Sequence, residues 1–207
     1  MQSSRPMRAT VAISVLTAFA YAVQGIAGPH VILQAGFIPA RLTEAFPFEA
    51  VPFWLTPLTA TLLHGGLLHL GFNLLMLVYC GRQVESVLGG LRLVILYIVG
   101  AYGAALGQYL LDSGSTGPMI GASGAISAVV GTYALMFGRG QVRRIGPVPG
   151  IVVRALWLAV AWVFLQWGIG FASGGTASPI AFAAHIGGFV TGLVLMYPLL
   201  EWRYRYG

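Results

Sequence analysis

Long apolar stretches separated by short polar breaks dominate the pattern of this 207-residue chain. A helix that crosses a bilayer needs about 20 mostly apolar residues. Six stretches have roughly that length: 8–27, 64–81, 91–111, 119–138, 149–170 and 180–200. The pattern therefore predicts an all-α membrane protein, in which residues 1–207 form a single polytopic domain with a bundle of six transmembrane helices.

Composition supports a membrane location. Hydrophobic residues make up 57% of the chain and charged residues only 8%, whereas soluble domains usually have about 25% charged residues. The apolar stretch 8–27 is about long enough to span a bilayer and exceeds the usual core of a signal peptide. We therefore interpret it as the first transmembrane helix. The single cysteine, Cys80, excludes a disulfide within the chain.

The charges predict the orientation in the membrane. All 11 basic residues are arginines. If the N-terminus is cytoplasmic, ten of them lie in cytoplasmic segments or at the inner ends of helices, and only Arg41 lies outside. This distribution follows the positive-inside rule and predicts that both termini are cytoplasmic. The formal charge of +6 does not indicate nucleic-acid binding, because the arginines form no patch or stripe.

The first outer loop, residues 28–63, is the longest connection between predicted helices. It contains five prolines together with Phe46, Phe48, Phe53 and Trp54, so it is too aromatic for a disordered linker. Two interpretations remain open. The loop is either an amphipathic element lying in the outer interface of the membrane or a packed extracytoplasmic loop without membrane contact.

Polar side chains inside the predicted helices suggest where the chemistry lies, because polar groups are costly at membrane depth. Ser123 stands in Gly121-Ala-Ser123-Gly124, and taken alone it is better explained by helix packing than by catalysis. His185 is more informative. Gly188 and Gly192 follow it at helical spacing, which predicts a close contact with another helix and a histidine turned away from lipid.

Depth in the membrane offers a separate comparison of these two residues. Ser123 lies 16 residues before Arg139, and His185 lies 16 residues before Glu201. At 1.5 Å per residue, each is about 24 Å above the inner boundary, or about 6 Å beneath the outer surface of a core about 30 Å thick. Contact between the fourth and sixth predicted helices would therefore bring them within hydrogen-bond reach.

The second predicted helix carries further polar residues. His69 and Asn73 are four residues apart and share one face. Counted from Arg82, they lie about 20 and 14 Å above the inner boundary. His64 is about one turn further out, and we expect it at the mouth of the site.

The residue types favour nucleophilic catalysis. A serine hydroxyl becomes a good nucleophile when a base takes its proton, and imidazole suits that role near neutral pH. Acyl transfer also creates an oxyanion, for which His69, Asn73 and the Ser123 amide are candidate donors. No acidic side chain lies at this depth, so the pattern indicates a Ser/His dyad and not a triad. The histidines lack acidic or thiol partners, so we expect no metal and no other cofactor.

At these residues the sequence resembles the rhomboid family of intramembrane serine proteases, in its six-span bacterial form. The second helix reads His64-x4-His69-x3-Asn73, the fourth reads Gly121-x-Ser123-Gly124, and the sixth reads Ala184-His185-x2-Gly188-x3-Gly192. Each motif is weak alone, but their order on the predicted helices is specific. The resemblance covers residues 8–200.

The resemblance implies an endopeptidase that cleaves transmembrane proteins near the extracytoplasmic side, through an acyl-enzyme intermediate, in a bacterial inner (plasma) membrane. It implies that Ser123 is the nucleophile and His185 the general base. His69, Asn73 and the Ser123 amide would stabilise the oxyanion. The implied partners are transmembrane protein substrates and the lipid bilayer, with no nucleic acid.

The sequence departs from the family pattern at two positions. The family commonly has Trp-Arg in the first loop, but here Trp54 is followed by Leu55. Family members also often have an aromatic residue four positions after the serine, stacked on the histidine, whereas this chain has Ser127. These departures leave open how the loop is anchored and how His185 is held.

Two other functions remain open from the sequence. One is a small transporter or channel that uses the intramembrane histidines as a proton relay. The other is an inactive rhomboid-like protein that only binds membrane helices.

Overall fold

The computed structural model describes residues 7–137, 142–172 and 180–206, and in these ranges the chain is helical with only isolated β-bridges. The helices are α1 (Arg8–Ala27), α2 (His30–Ala35), α3 (Thr56–Thr59), α4 (Leu67–Leu88), α5 (Gly90–Leu111), α6 (Ser123–Phe137), α7 (Gly150–Ala172) and α8 (Ile180–Tyr206). Short 3₁₀ turns cover Pro39–Leu42, Phe53–Leu55 and Ala60–Leu62. The predicted all-α class is confirmed for these ranges.

Four helices of the described chain are long and apolar enough to cross a membrane: α1, α4, α5 and the Phe182–Arg205 part of α8. The 15-residue α6 and the Gly150–Trp162 part of α7 are apolar but shorter. The chain is therefore a multi-pass membrane protein. The count of six spans stays a prediction.

Some sequence predictions fall outside the described residues. Arg5 lies in residues 1–6, Arg139 lies in residues 138–141, and most of the predicted outer loop before the last helix is residues 173–179. The orientation inferred from the arginines and the depth counted from Arg139 therefore stay predictions.

The connection between α4 and α5 is shorter than the gap of residues 82–90 between the second and third predicted spans. Helix α4 continues to Leu88, and Gly89 alone separates it from α5. Gly89 has φ +83°, a left-handed conformation that glycine adopts without steric cost. The helix continues past Arg82 because its buried Glu85 accepts hydrogen bonds from the α1 amides of Ala9 (2.9 Å) and Thr10 (2.8 Å). The carboxylate thus binds the N-terminus of α1, where negative charge is favourable.

Helices α5, α6 and α8 pack on one another through glycines. A Cβ atom on Gly100 of α5 would stand 2.5 Å from the Ala128 Cβ of α6, and one on Gly107 would stand 2.6 Å from the Ala183 carbonyl oxygen of α8. Contacts this close require glycine, because any side chain would collide with the facing helix. The backbones of these three helices therefore approach closely, and α6 and α8 carry the two candidate catalytic residues.

The first outer loop packs against the segment that leads into α6. Phe37 and Met119 exchange two backbone hydrogen bonds of 3.0 and 2.8 Å. Phe37 is buried and its ring lies 5.4 Å from that of Phe53. The loop therefore packs on the bundle at this point, and both interpretations of its relation to the membrane stay predictions.

Two side chains anchor the loop without an arginine at position 55. The Tyr102 hydroxyl of α5 donates to the Trp54 carbonyl oxygen at 2.9 Å. The Arg41 guanidinium donates to the Val51 carbonyl oxygen at 2.8 Å. The guanidinium of Arg41, which lies earlier in the loop, therefore holds the loop backbone at Val51.

Candidate active site

Ser123 is the first residue of α6. The expected span began at residue 119, but Gly121 has φ +113° and breaks the helical path before the serine. The Gly121 amide donates to the Ala60 carbonyl oxygen at 2.9 Å, so the turn is held by the end of the first outer loop. Because α6 begins at Ser123, the Ser123 amide has no carbonyl one turn earlier to bond with.

The imidazole of His185 lies beside the hydroxyl of Ser123. The distance from His185 Nε2 to Ser123 Oγ is 2.8 Å, and both side chains are buried. In the tautomer with its proton on Nδ1, Nε2 accepts a hydrogen bond from the hydroxyl, as a general base must. The structure thus brings together two residues that are 62 positions apart in the sequence.

Helices α6 and α8 cross closely enough to bring His185 to Ser123 because α8 has two glycines at the crossing. A Cβ atom on Gly188 would overlap the carbonyl oxygen of Gly124, and one on Gly192 would overlap that of Ala128. The predicted close contact on the glycine face after His185 is confirmed. Helix α8 therefore approaches the α6 backbone over two successive turns.

His69 of α4 borders the same turn as Ser123. A Cβ atom on Gly121 would stand 2.8 Å from His69 Nε2 and 3.7 Å from Ser123 Oγ. Glycine is therefore required at position 121 by its positive φ and by the space that the imidazole occupies. His69 Nε2 therefore lies close to the turn that leads into Ser123.

Asn73 is buried on α4, one turn after His69. Its Nδ2 donates to the His69 carbonyl oxygen at 2.9 Å. An amide nitrogen carries two hydrogens, so one donor is left for a further acceptor. Within the described chain Oδ1 has no hydrogen-bond partner. The structure brings His69 to the Ser123 turn, and it places Asn73 on the same helix beneath His69.

The expectation that His64 lies at an open mouth of the site is wrong. His64 precedes α4 and only 1% of its surface is exposed. The side chain of Gln24 in α1 holds its backbone, donating to the His64 carbonyl oxygen at 2.8 Å and accepting from its amide at 2.9 Å. The His64 ring packs 5.1 Å from the His69 ring. Its burial follows from the close approach of α1, which the hydrophobic pattern does not encode.

Sequence reasoning missed the surroundings of Ser127. The Ser127 hydroxyl donates to the Ser123 carbonyl oxygen at 2.7 Å. It also accepts a hydrogen bond of 2.6 Å from Trp162 Nε1 of α7. Trp162 stands in an apolar run with nothing nearby to distinguish it, so no sequence signal pointed to this contact. The polar Gln24 within the first apolar run was a signal that was available.

A family comparison matches the chain over a stretch that includes all these residues except Gln24. The family model described as "Rhomboid domain" matches residues 53–202. That stretch contains Ser123, His185, His69 and Asn73.

Individual relatives are similar over a shorter stretch. "Rhomboid protease GlpG" of Photorhabdus laumondii is 33% identical over 124 residues, which are 60% of this chain and 40% of that protein. "Rhomboid protein 1, mitochondrial" of Saccharomyces cerevisiae is 30% identical over 60% of this chain and 36% of its own length. "Rhomboid-related protein 2" of Mus musculus is 31% identical over 62% of this chain and 42% of its own. The chain thus spans about two fifths of the length of each relative.

Proposed function

Because this chain belongs to the rhomboid family, we propose that it is a serine endopeptidase that cleaves transmembrane proteins within the bilayer. The observation that carries the proposal is the 2.8 Å distance between Ser123 Oγ and His185 Nε2. This distance is within the range for a nucleophile and its base. The relatives called "Rhomboid protease GlpG" support the reaction class.

The proposed reaction has two halves. The Ser123 oxygen attacks the carbonyl carbon of the scissile peptide bond while His185 Nε2 takes the hydroxyl proton. The tetrahedral intermediate then breaks its C–N bond, and His185 returns the proton to the leaving amine. A water molecule, deprotonated by the same nitrogen, next attacks the acyl-enzyme, which releases the carboxylic acid product and restores the serine hydroxyl. Histidine acts in turn as base and acid, as in other serine hydrolases.

The N-terminus of α6 supports stabilisation of the oxyanion. The Ser123 amide is a first-turn amide without an intrahelical acceptor, and the helix dipole places partial positive charge there. The imidazole of His69 borders the same turn. Asn73 retains an amide hydrogen for a further bond. We assign these three donors to the developing negative charge.

The same proposal includes the topology. Helices α6 and α7 complete six spans, both termini are cytoplasmic, and the dyad lies near the extracytoplasmic side of a bacterial inner membrane. The arginine distribution supports this orientation. The substrates are transmembrane proteins.

Covalent labelling tests the proposal. Wild-type protein in detergent should bind one fluorophosphonate per chain, located at Ser123 by mass spectrometry, while Ser123→Ala should bind none. Ser86→Ala is the matched control, since Ser86 is an exposed serine of α4 whose hydroxyl donates to the Gln83 carbonyl oxygen of the same helix. A folded wild-type protein that takes up no probe and cleaves no membrane substrate would contradict the assignment.

Asn73→Ala is expected to slow cleavage by an intermediate amount. Removing one oxyanion donor should lower kcat by the order of 100-fold, with KM little changed, because the bond strengthens only in the transition state. Steady-state cleavage of a fluorogenic transmembrane substrate measures both constants. An unchanged kcat in folded Asn73→Ala would remove this residue from the oxyanion site.

A further inference from the structure

A chain of two hydrogen bonds leads from α7 to the backbone of Ser123. Trp162 Nε1 donates to Ser127 Oγ at 2.6 Å, and Ser127 Oγ donates to the Ser123 carbonyl oxygen at 2.7 Å. Both side chains are buried, with Ser127 at 0% and Trp162 at 4% exposure. Bonds of this length in a dry, apolar environment are strong and polarise one another.

The residue types determine which group donates in each of these two hydrogen bonds. The indole nitrogen is only a donor, so the Ser127 oxygen must accept from it. The hydroxyl hydrogen then remains for the Ser123 carbonyl oxygen. A serine bonded back to the carbonyl four residues earlier usually bends a helix or weakens it slightly. Here the second bond, from Trp162, holds the hydroxyl in one orientation.

Residue 127 also contacts the helix that carries the histidine. A Cβ atom on Gly188 would stand 3.2 Å from Ser127 Cβ. Gly188 lies one turn after His185 on α8. Ser127 therefore touches α8 just beyond the dyad while its hydroxyl bonds to the residue that carries the nucleophile.

Ser123 needs such support because it is the first residue of α6. A helix holds its first residue through one backbone hydrogen bond, which the amide four positions later donates to the carbonyl oxygen of that first residue. For Ser123 that amide belongs to Ser127. Ser127 thus provides both hydrogen bonds to the Ser123 carbonyl oxygen, one from its amide and one from its hydroxyl. Trp162 in turn restrains the Ser127 side chain.

We propose that Trp162 is a positioning residue, which acts through Ser127 to hold Ser123 Oγ at the distance from His185 Nε2 that proton transfer requires. This proposal rests on the proposed function, since it presupposes the Ser/His dyad. Trp162 comes from α7, so the placement of the nucleophile depends on the docking of that helix. Displacement of a reacting group by about 1 Å can lower a rate by the order of 100-fold, so modest support here has a measurable effect.

Paired substitutions test the proposal. Trp162→Phe removes the donor while keeping an aromatic ring, and it should lower kcat about fivefold, the usual effect of one lost hydrogen bond. Ser127→Ala leaves the buried indole N–H unpaired and should lower kcat about tenfold. The double variant should be no slower than Ser127→Ala, because both changes break one chain of bonds. KM should stay unchanged in all three.

Labelling kinetics separate positioning from loss of structure. In Trp162→Phe and Ser127→Ala the fluorophosphonate should react more slowly but still reach one label per chain. Trp157→Phe is the matched control, because Trp157 is another tryptophan of α7 that is 68% exposed, and it should label at the wild-type rate.

Three results would overturn the positioning role. The first is a wild-type kcat in Trp162→Phe, and the second is a double variant in which the two losses of kcat multiply to about 50-fold. The third is a final amount of label that falls as much as the labelling rate. In each case wild-type labelling at Ser123 would leave the protease assignment intact. A wild-type protein that takes up no label would instead remove the proposed function itself.

Discussion

His185→Ala is expected to lower kcat for a transmembrane substrate by on the order of 10⁴-fold or more. The imidazole nitrogen lies 2.8 Å from the serine oxygen, so its removal leaves the hydroxyl without a base inside the membrane. Water is a much weaker base than imidazole, so it cannot take over the proton at a comparable rate. Cleavage of a labelled substrate in proteoliposomes, followed over hours, measures the residual rate.

A comparison of single and double variants sharpens this prediction. Ser123→Ala should be as inactive as His185→Ala, and the double variant should be no worse, because the two groups act as one unit. His30→Ala is the matched control, since His30 is an exposed histidine of α2. Substantial cleavage by a folded His185→Ala variant would show that another group deprotonates Ser123.

Gly188→Ala is expected to inactivate the protein without touching either member of the dyad. A Cβ atom at position 188 would overlap the carbonyl oxygen of Gly124, which is backbone and has no other rotamer to adopt. Helix α8 must therefore move away from α6 and carry His185 with it. We expect kcat to fall by the order of 100-fold for a shift of about 1 Å. The free energy of unfolding should fall by about 2 kcal/mol.

Gly71→Ala is the control for this substitution. Gly71 is also a glycine inside a helix, but a Cβ atom there would meet nothing within 4 Å. Since alanine is the better helix former, this variant should be slightly more stable and fully active. Cleavage rates and detergent-induced unfolding of both variants measure the two effects. A Gly188→Ala protein with wild-type activity would show that the crossing tolerates a wider separation than the structure implies.

The glycine pattern illustrates how much of the site was readable from the sequence. Gly188 and Gly192 follow His185 at helical spacing, and the structure has the predicted contact on that face. Helical periodicity is a local property, so a sequence shows which residues share a face. The facing residue on another helix is not local, and neither Gly124 nor Ala128 could be named as the partner.

The differences between the sequence prediction and the structure have the same physical origin. His64 was expected at an open mouth, yet Gln24 of α1 holds its backbone in the interior. The second predicted span ended at residue 81, yet Glu85 binds the N-terminus of α1 and α4 runs on to Leu88. In both cases a polar side chain bonds to a distant backbone group. Such bonds strongly favour one arrangement in an apolar interior, because the alternative is an unpaired polar group.

By itself the sequence determined the helical class, the membrane setting, the faces that carry glycine and the residues capable of chemistry. All of these depend on apolar run length, local spacing and side-chain type. Only the tertiary structure decided the 2.8 Å approach of Ser123 to His185, the turn of Gly121 against His69 and the bond from Trp162 to Ser127. Each of these joins residues from separate segments. Their separation depends on how closely backbones pack, which no single segment specifies.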